Sequence, residues 1–129
     1  MKIKNTIKQW HQLLEQQKLE ILDKILADDV VFHSPVLHTP QRGKTLTKMY
    51  LSAAYHIFSK QEFIYVREIL QDNRACLEFQ TEIDGIVING VDLIQCDDSG
   101  KITDFKVMIR PLKGLQKLRE KMFELLSNS

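Results

Sequence analysis

Two helical stripes of apolar residues open the chain. The first comprises Ile3, Ile7, Trp10 and Leu14, and the second, after the polar stretch 15–18, comprises Leu19, Leu22, Ile25 and Leu26. Gaps of three and four residues place such side chains on one face of a helix. The run 27–29 then predicts a turn into a first strand, which begins at Val30.

An irregular segment and a third helix follow. Pro35 and Pro40 bracket the segment 34–43. Because proline supplies no amide donor, this segment is predicted as a loop over the surface or over a pocket mouth. The next apolar stripe has helical spacing and comprises Leu46, Met49, Tyr50, Ala53 and Ile57.

The second half of the chain is predicted as strands. Four segments, 63–70, 75–83, 87–96 and 102–109, are separated by short polar turns. Short turns predict an antiparallel meander for at least the last three of them. A final helical stripe comprises Leu112, Leu115, Leu118, Met122 and Leu125. Strands gathered in one block after helices indicate an α+β fold.

Three segments carry a resemblance to a known family: "ILADDVVFHSPV", "GKTLTKMYLSAA" and "GVDLIQCDDSGKITDFKVMIRP". In order and spacing they resemble the nuclear transport factor 2-like superfamily, and within it the SnoaL-like group, which includes polyketide cyclases and ketosteroid isomerase-like proteins. The resemblance implies one domain over residues 1–129. It also implies a cystatin-like cone, in which a curved antiparallel sheet wraps around the N-terminal helices and the third helix, with a C-terminal helix added. Many members are homodimers that pair through the outer sheet face, so a homodimer is expected.

Composition narrows the possible partners. Eighteen basic residues nearly balance seventeen acidic ones, and a net charge of +1 gives no reason to expect nucleic acid or an anionic membrane. No apolar run is long enough to cross a bilayer, and the N-terminus lacks a signal-peptide pattern. Cys76 and Cys96 match no CxxC motif, so a cytoplasmic protein with reduced thiols is expected. His33 and His38 lack a third ligand at a sensible spacing, so neither a metal nor a cofactor is expected.

The resemblance to ketosteroid isomerases can be examined position by position. In those enzymes a helix tyrosine and a protonated aspartic acid bind the enolate oxygen, and an aspartate before a proline moves the proton. The corresponding places here hold Trp10, Asp92 and Ser34. An indole cannot shuttle a proton, and a serine hydroxyl is a weak base. One of the three groups is therefore retained, which argues against the same chemistry.

Asp92 is the strongest candidate for a functional residue. It lies in the middle of a predicted strand, between Val91 and Leu93, where aspartate is disfavoured. If its face lines the cavity, burial raises the pKa of the carboxyl and suits it to act as an acid, a base or a hydrogen-bond donor. The alternative is an aspartate paired with a nearby cation or exposed at a sheet edge.

Other residues are candidates for the same site. His33 or Ser34 would assist Asp92 if the first strand bends toward the cavity, and Arg110 would clamp an anionic group of a ligand. The structural alternatives are a hydrogen-bonded histidine and an arginine that pins the last helix. The apolar and aromatic positions predicted to contact a ligand are Trp10, Phe32, Met49, Tyr50, Leu77, Phe79, Phe105, Val107 and Ile109.

Three hypotheses for function follow from these residues. The first is a pocket protein that binds a small apolar molecule oriented by Asp92. The second is an isomerase, cyclase, dehydratase or hydrolase of a small carbonyl or epoxide compound, with Asp92 as acid or base. The third is a dimeric interaction module whose outer sheet face matters more than its cavity.

Overall fold

The computed structural model describes residues 2–127 of the chain. The helices in this range are α1 (Lys2–Gln16), α2 (Leu22–Ile25), α3 (Lys44–Phe58) and α4 (Leu112–Ser127), and a 3₁₀ turn at Leu19–Ile21 precedes α2. None of the helices within residues 2–127 is long and apolar enough to span a membrane.

One sheet of six strands forms the other layer. The strands are β1 (Leu26–His33), β2 (Gln41–Arg42), β3 (Phe63–Gln71), β4 (Arg74–Ile83), β5 (Ile86–Cys96) and β6 (Ile102–Arg110). Their order across the sheet is β2-β1-β6-β5-β4-β3. The predicted antiparallel meander is confirmed and includes all four strands from β3 to β6.

The sheet is mixed, although the sequence predicted a purely antiparallel one. β1 lies beside β6 and runs parallel to it. A hairpin forces its two strands to be antiparallel, but no hairpin joins β1 to β6, since α3 and four strands intervene. A two-residue strand, β2, also lies within the segment predicted as irregular and pairs antiparallel with β1.

The first strand begins earlier than predicted. Leu26 is the first residue of β1 and is fully buried, although its spacing placed it on the second helical stripe. The predicted turn 27–29 is part of the same strand. Its register with β6 shifts between Leu26 and Val31, and such an irregularity lets Asp28 and Asp29 reach solvent without ending the strand.

The concave side of the sheet carries the core. Side chains from α1, α2 and the inner faces of β1, β4, β5 and β6 form one buried apolar cluster. Gly90 allows a close approach on this face, because a Cβ there would lie 2.6 Å from Cζ of Phe79 and 2.7 Å from the backbone oxygen of Met108. The curved sheet around helices is the predicted α+β cone, and this prediction of the fold class is confirmed.

Candidate functional site

A cavity of about 390 Å³ lies between the concave face of the sheet and the helices. Most of its wall is apolar or aromatic. The aromatic residues of the lining are Trp10, Phe32, Tyr50, Tyr55, Phe58, Phe63, Tyr65, Phe79 and Phe105. This size and lining are typical of a site for a small organic molecule.

Asp92 faces this cavity from the middle of β5. It lies between Leu77 of β4 and Val107 of β6, both of which point to the concave side. The residue is only 5% exposed. Among the described residues it is the only buried one whose side chain would be charged at neutral pH if its pKa had the ordinary value. Burial raises the pKa of Asp92 to about 7 and outweighs a hydrogen bond from Tyr65 that lowers it. The carboxyl therefore exchanges its proton near neutral pH.

Tyr65 holds Asp92 in a short hydrogen-bonded chain. The indole Nε1–H of Trp10 donates to the hydroxyl of Tyr65 at 2.8 Å, and that hydroxyl donates to Oδ2 of Asp92 at 2.9 Å. Indole can only donate, so the direction of the chain is set from Trp10 toward the carboxylate. Burial, and next the charge of Asp92, raise the pKa of Tyr65 well above its usual value.

This arrangement leaves one carboxyl oxygen free. Oδ1 of Asp92 has no hydrogen-bond partner within residues 2–127. It also keeps some accessible surface, so a ligand can reach it. A protonated Asp92 can therefore donate from this side to a ligand in the cavity, while Oδ2 stays bound to Tyr65.

Tyr65 was not predicted as a site residue. Its signal lies in the register: Tyr65 pairs with Phe79, and strand β3 alternates Phe63 and Tyr65 inward with Ile64 and Val66 about half exposed. The sequence indicated that Phe79 faces inward. Which residue of the edge strand β3 pairs with Phe79, however, depends on the register of the hairpin, and periodicity alone does not determine that register.

Eight of the predicted site residues line the cavity. They are Trp10, Phe32, Ser34, Tyr50, Phe79, Asp92, Phe105 and Val107. Oγ of Ser34 accepts a hydrogen bond from the backbone N–H of Val36 at 3.2 Å, which ties the loop at the cavity wall. No carboxylate takes the place that Ser34 holds before Pro35.

The other five predicted residues lie elsewhere. His33 faces away from the cavity and contacts Asp104 of the neighbouring strand, with Nε2 and Oδ2 3.0 Å apart. The reason is that β1 does not bend at His33 in the way that would point this side chain inward. Met49 is 44% exposed, since α3 buries Thr47, Leu51 and Ala53 instead.

Leu77, Ile109 and Arg110 are also outside the lining. Leu77 is fully buried in the core, and Ile109 packs beside the separate cluster that contains Phe79. Arg110 is exposed at the end of β6, so its guanidinium lies away from the cavity.

A histidine not singled out by the sequence does line the cavity. His11 lies on α1, one residue after Trp10, and its Nε2 is 2.6 Å from Oε1 of Glu68 on β3. Its ring also meets the edge of the Tyr65 ring, with centroids 5.5 Å apart. Tyr65 therefore contacts both His11 and Asp92.

A metal site is not evident in the described part of the chain. Residues 2–127 contain no group of three or more histidine, cysteine, aspartate or glutamate side chains that could hold an ion. The ionisable side chains of the cavity lining are those of His11, Glu15, Tyr50, Tyr55, Tyr65 and Asp92.

Comparison with solved structures places the chain among similar cones. A steroid delta-isomerase from Pseudomonas aeruginosa is 34% identical with a TM-score of 0.94, and the match covers 99% of this chain and 93% of that one. An uncharacterised protein with a cystatin-like fold from Silicibacter pomeroyi is 30% identical with a TM-score of 0.84, over 92% of this chain and 83% of that one.

A more distant similarity shows the fold alone. A nuclear transport factor 2-like protein of unknown function from Mesorhizobium loti is 16% identical with a TM-score of 0.75, over 85% of this chain and 92% of that one. A search among curated proteins gives no match.

The family is shown by sequence as well as by structure. The model of the SnoaL-like domain matches residues 7–105, which include residues 7–16 of α1, the Asp92 strand and most of the cavity wall. The predicted membership of the nuclear transport factor 2-like superfamily is confirmed. The chain belongs to the SnoaL-like domain family.

Proposed function

We propose that the cavity binds a small, mostly apolar molecule that carries one hydrogen-bond acceptor, such as a carbonyl oxygen. The observation that carries this proposal is the free Oδ1 of Asp92 in a cavity whose wall is otherwise mostly apolar. A single buried polar group orients a ligand, and the apolar wall supplies most of the affinity.

The protonation state of Asp92 decides whether it can bind a carbonyl oxygen of the ligand. Below pH 7 the carboxyl is mostly neutral and donates a hydrogen bond to a carbonyl oxygen. Above pH 7 it is mostly ionised and repels the same oxygen. Affinity for a ketone is therefore expected to fall as the pH rises through 7, by up to about tenfold per pH unit.

Trp10 provides a direct assay for binding. It is the only tryptophan of the chain and lines the cavity, so its emission should report a ligand beside it. The probe is 2-decalone, a bicyclic apolar ketone, and the matched control is decalin, which lacks the carbonyl. Titrations are run from about pH 5 to about pH 9 with the wild type and Asp92→Asn, whose amide donates a hydrogen bond at every pH.

The expected result has two parts. The wild type binds 2-decalone more tightly than decalin at low pH and loses this preference as Asp92 ionises. Asp92→Asn keeps the preference across the range. Equal binding of ketone and hydrocarbon at about pH 5, or a preference in Asp92→Asn that falls with pH as in the wild type, would refute the role of Asp92.

A second candidate function is isomerisation of an unsaturated ketone. It is favoured by the pKa of about 7 at Asp92, which suits proton transfer near neutral pH, and by the 34% identity to a protein described as a steroid delta-isomerase. Conversion of 3-cyclohexen-1-one to its conjugated isomer, followed by ultraviolet absorption, tests this candidate. No increase in rate over Asp92→Asn and over buffer would exclude it for this substrate class.

A further inference from the structure

We propose that His11, held by Glu68, is the proton acceptor of the cavity and works together with Asp92 to enolise a bound ketone. This inference rests on the proposed binding of a carbonyl compound at Asp92 and extends its second candidate function. It assigns a base to a site in which the place before Pro35 holds only Ser34.

The position of His11 fits a role inside the cavity. His11 is among the lining residues and Glu68 is not, so the carboxylate contacts the imidazole from outside the cavity. Tyr65 contacts both residues: its ring packs edge to face with the imidazole of His11, and its hydroxyl donates a hydrogen bond to Asp92. A ketone bound by its oxygen at Asp92 would thus extend along Tyr65 with its neighbouring carbons toward His11.

The nitrogen atoms of His11 suit a proton acceptor. Nε2 is 2.6 Å from Oε1 of Glu68, and Nδ1 has no hydrogen-bond partner within residues 2–127. When Nε2 carries the hydrogen of the neutral ring, Nδ1 holds the lone pair that can accept a proton. The carboxylate of Glu68 then stabilises the imidazolium that forms.

The step conserves atoms and charge. The bond between the α-carbon of the ketone and its hydrogen breaks, and the proton forms an N–H bond on His11. The electron pair left on carbon forms the carbon–carbon double bond, and the carbonyl π pair moves to oxygen. The resulting enolate oxygen accepts a hydrogen bond from protonated Asp92. Return of a proton to the same carbon gives exchange, and return to a conjugated carbon gives isomerisation.

The surroundings of the imidazole are acidic and aromatic. Glu68 and Tyr65 contact it from β3, Glu15 lies one turn further along α1 on the cavity wall, and Asp92 is reached through Tyr65. The side chain of His11 is 32% exposed, so a proton it has accepted can pass to water. Solvent deuterium can therefore replace the hydrogen taken from a ligand.

A second pair of the same kind tests the importance of position. His33 and Asp104 form a histidine–carboxylate contact at 3.0 Å, but neither residue lines the cavity. If any paired histidine could act on a ligand, the two pairs would be equivalent. The geometry assigns the role to His11 because His11 lines the same cavity as Asp92, whereas His33 does not.

The test is exchange of the α-hydrogens of 2-decalone in deuterium oxide, followed by proton nuclear magnetic resonance near neutral pH. The variants are His11→Gln and Glu68→Gln, with the exposed His38→Gln as control. Binding of 2-decalone is measured in the same samples through the emission of Trp10. This second readout separates loss of a base from loss of the fold.

The wild type and His38→Gln are expected to accelerate exchange over buffer. His11→Gln should lose this acceleration by about a hundredfold or more, with affinity changed less than about threefold, because a positioned base contributes a rate effect of that order. Glu68→Gln should reduce exchange less than His11→Gln does, since the imidazole remains.

Two outcomes would overturn the proposal and leave ketone binding intact. One is a wild type that binds 2-decalone without accelerating exchange. The other is undiminished exchange in His11→Gln. If the wild type binds no ketone at all, the proposed function fails first, and the role of His11 fails with it.

Discussion

Replacing Asp92 by asparagine should stabilise the protein at neutral and alkaline pH. Asp92 is 5% exposed in the wild type, and among residues 2–127 no cation lies beside its carboxyl to offset the cost of its charge. Asparagine has nearly the same shape, and its side-chain oxygen can still accept the hydrogen bond from Tyr65. The substitution thus removes the ionisation of the buried group and little else.

The size and the pH window follow from the pKa of Asp92. Burial raises it from 3.8 to about 7. Below 3.8 the group is protonated in both the folded and the unfolded chain, so it has no differential effect. Between 3.8 and 7 the unfolded chain ionises first, and the folded state loses stability by about 1.4 kcal/mol per pH unit. Above 7 the accumulated cost is about 4 kcal/mol and stays constant.

The assay is urea unfolding of both proteins from about pH 4 to about pH 9, followed by far-ultraviolet circular dichroism. The difference in the free energy of unfolding between Asp92→Asn and the wild type should be small near pH 4 and should grow to about 4 kcal/mol near pH 9. Comparing two proteins at each pH cancels the titration of the other groups they share. Asp98→Asn is the surface control, because the side chain of Asp98 is fully exposed.

The reasoning is refuted if the stability difference does not depend on pH, or if Asp92→Asn is the less stable protein near pH 9. Either result would mean that the carboxylate is compensated in the folded state. A stabilised variant that loses the preference for ketones at low pH would also count against the proposed site. Stability gained at the expense of pH-dependent binding is the expected signature of a functional carboxyl.

Three further predictions concern other parts of the molecule. Tyr65→Phe removes a hydrogen bond that lowers the pKa of Asp92, so ketone affinity in the fluorescence titration should begin to fall at a higher pH than in the wild type. Gly90→Ala should lower the free energy of unfolding by about 1–3 kcal/mol in urea titrations, because the added Cβ would lie 2.6 Å from the ring of Phe79. The proposed homodimer should appear as concentration-dependent elution in size-exclusion chromatography and should weaken in Met108→Glu, since Met108 is 49% exposed on the outer sheet face. A strict monomer at all concentrations would remove the homodimer.

Much of the fold could be predicted from local patterns. The bounds predicted for β3 to β6 agree with the structure to within one residue at each end, because period-two alternation and short polar turns act within a few residues of each other. The first strand shows the limit of this reasoning. Leu26 continues a helical stripe in sequence, yet it lies in β1, where pairing with Ile102 overrides the local pattern.

Strand alternation and helical spacing each predicted part of the site. Phe79 and Val107 face the cavity, as predicted, and Asp92 also faces it, although the sequence left open an exposed position at a sheet edge. Helix positions were less certain. Met49 is exposed because the rotation of α3 is set by packing against the sheet, which the apolar stripe alone does not specify.

The sequence by itself determined most of the helices and strands and the α+β class, because each depends on residue types within a short stretch of chain. It also marked the carboxyl of Asp92 as a candidate, without fixing the face of the sheet on which it lies. Only the tertiary structure decided which groups meet that carboxyl. Trp10 and Tyr65 are 55 residues apart, and Tyr65 and Asp92 are 27 apart, yet they form one hydrogen-bonded chain. His11 and Glu68 likewise meet only because α1 lies along the edge strand β3. Contacts between such distant segments arise from register and curvature of the whole sheet, which no local spacing records.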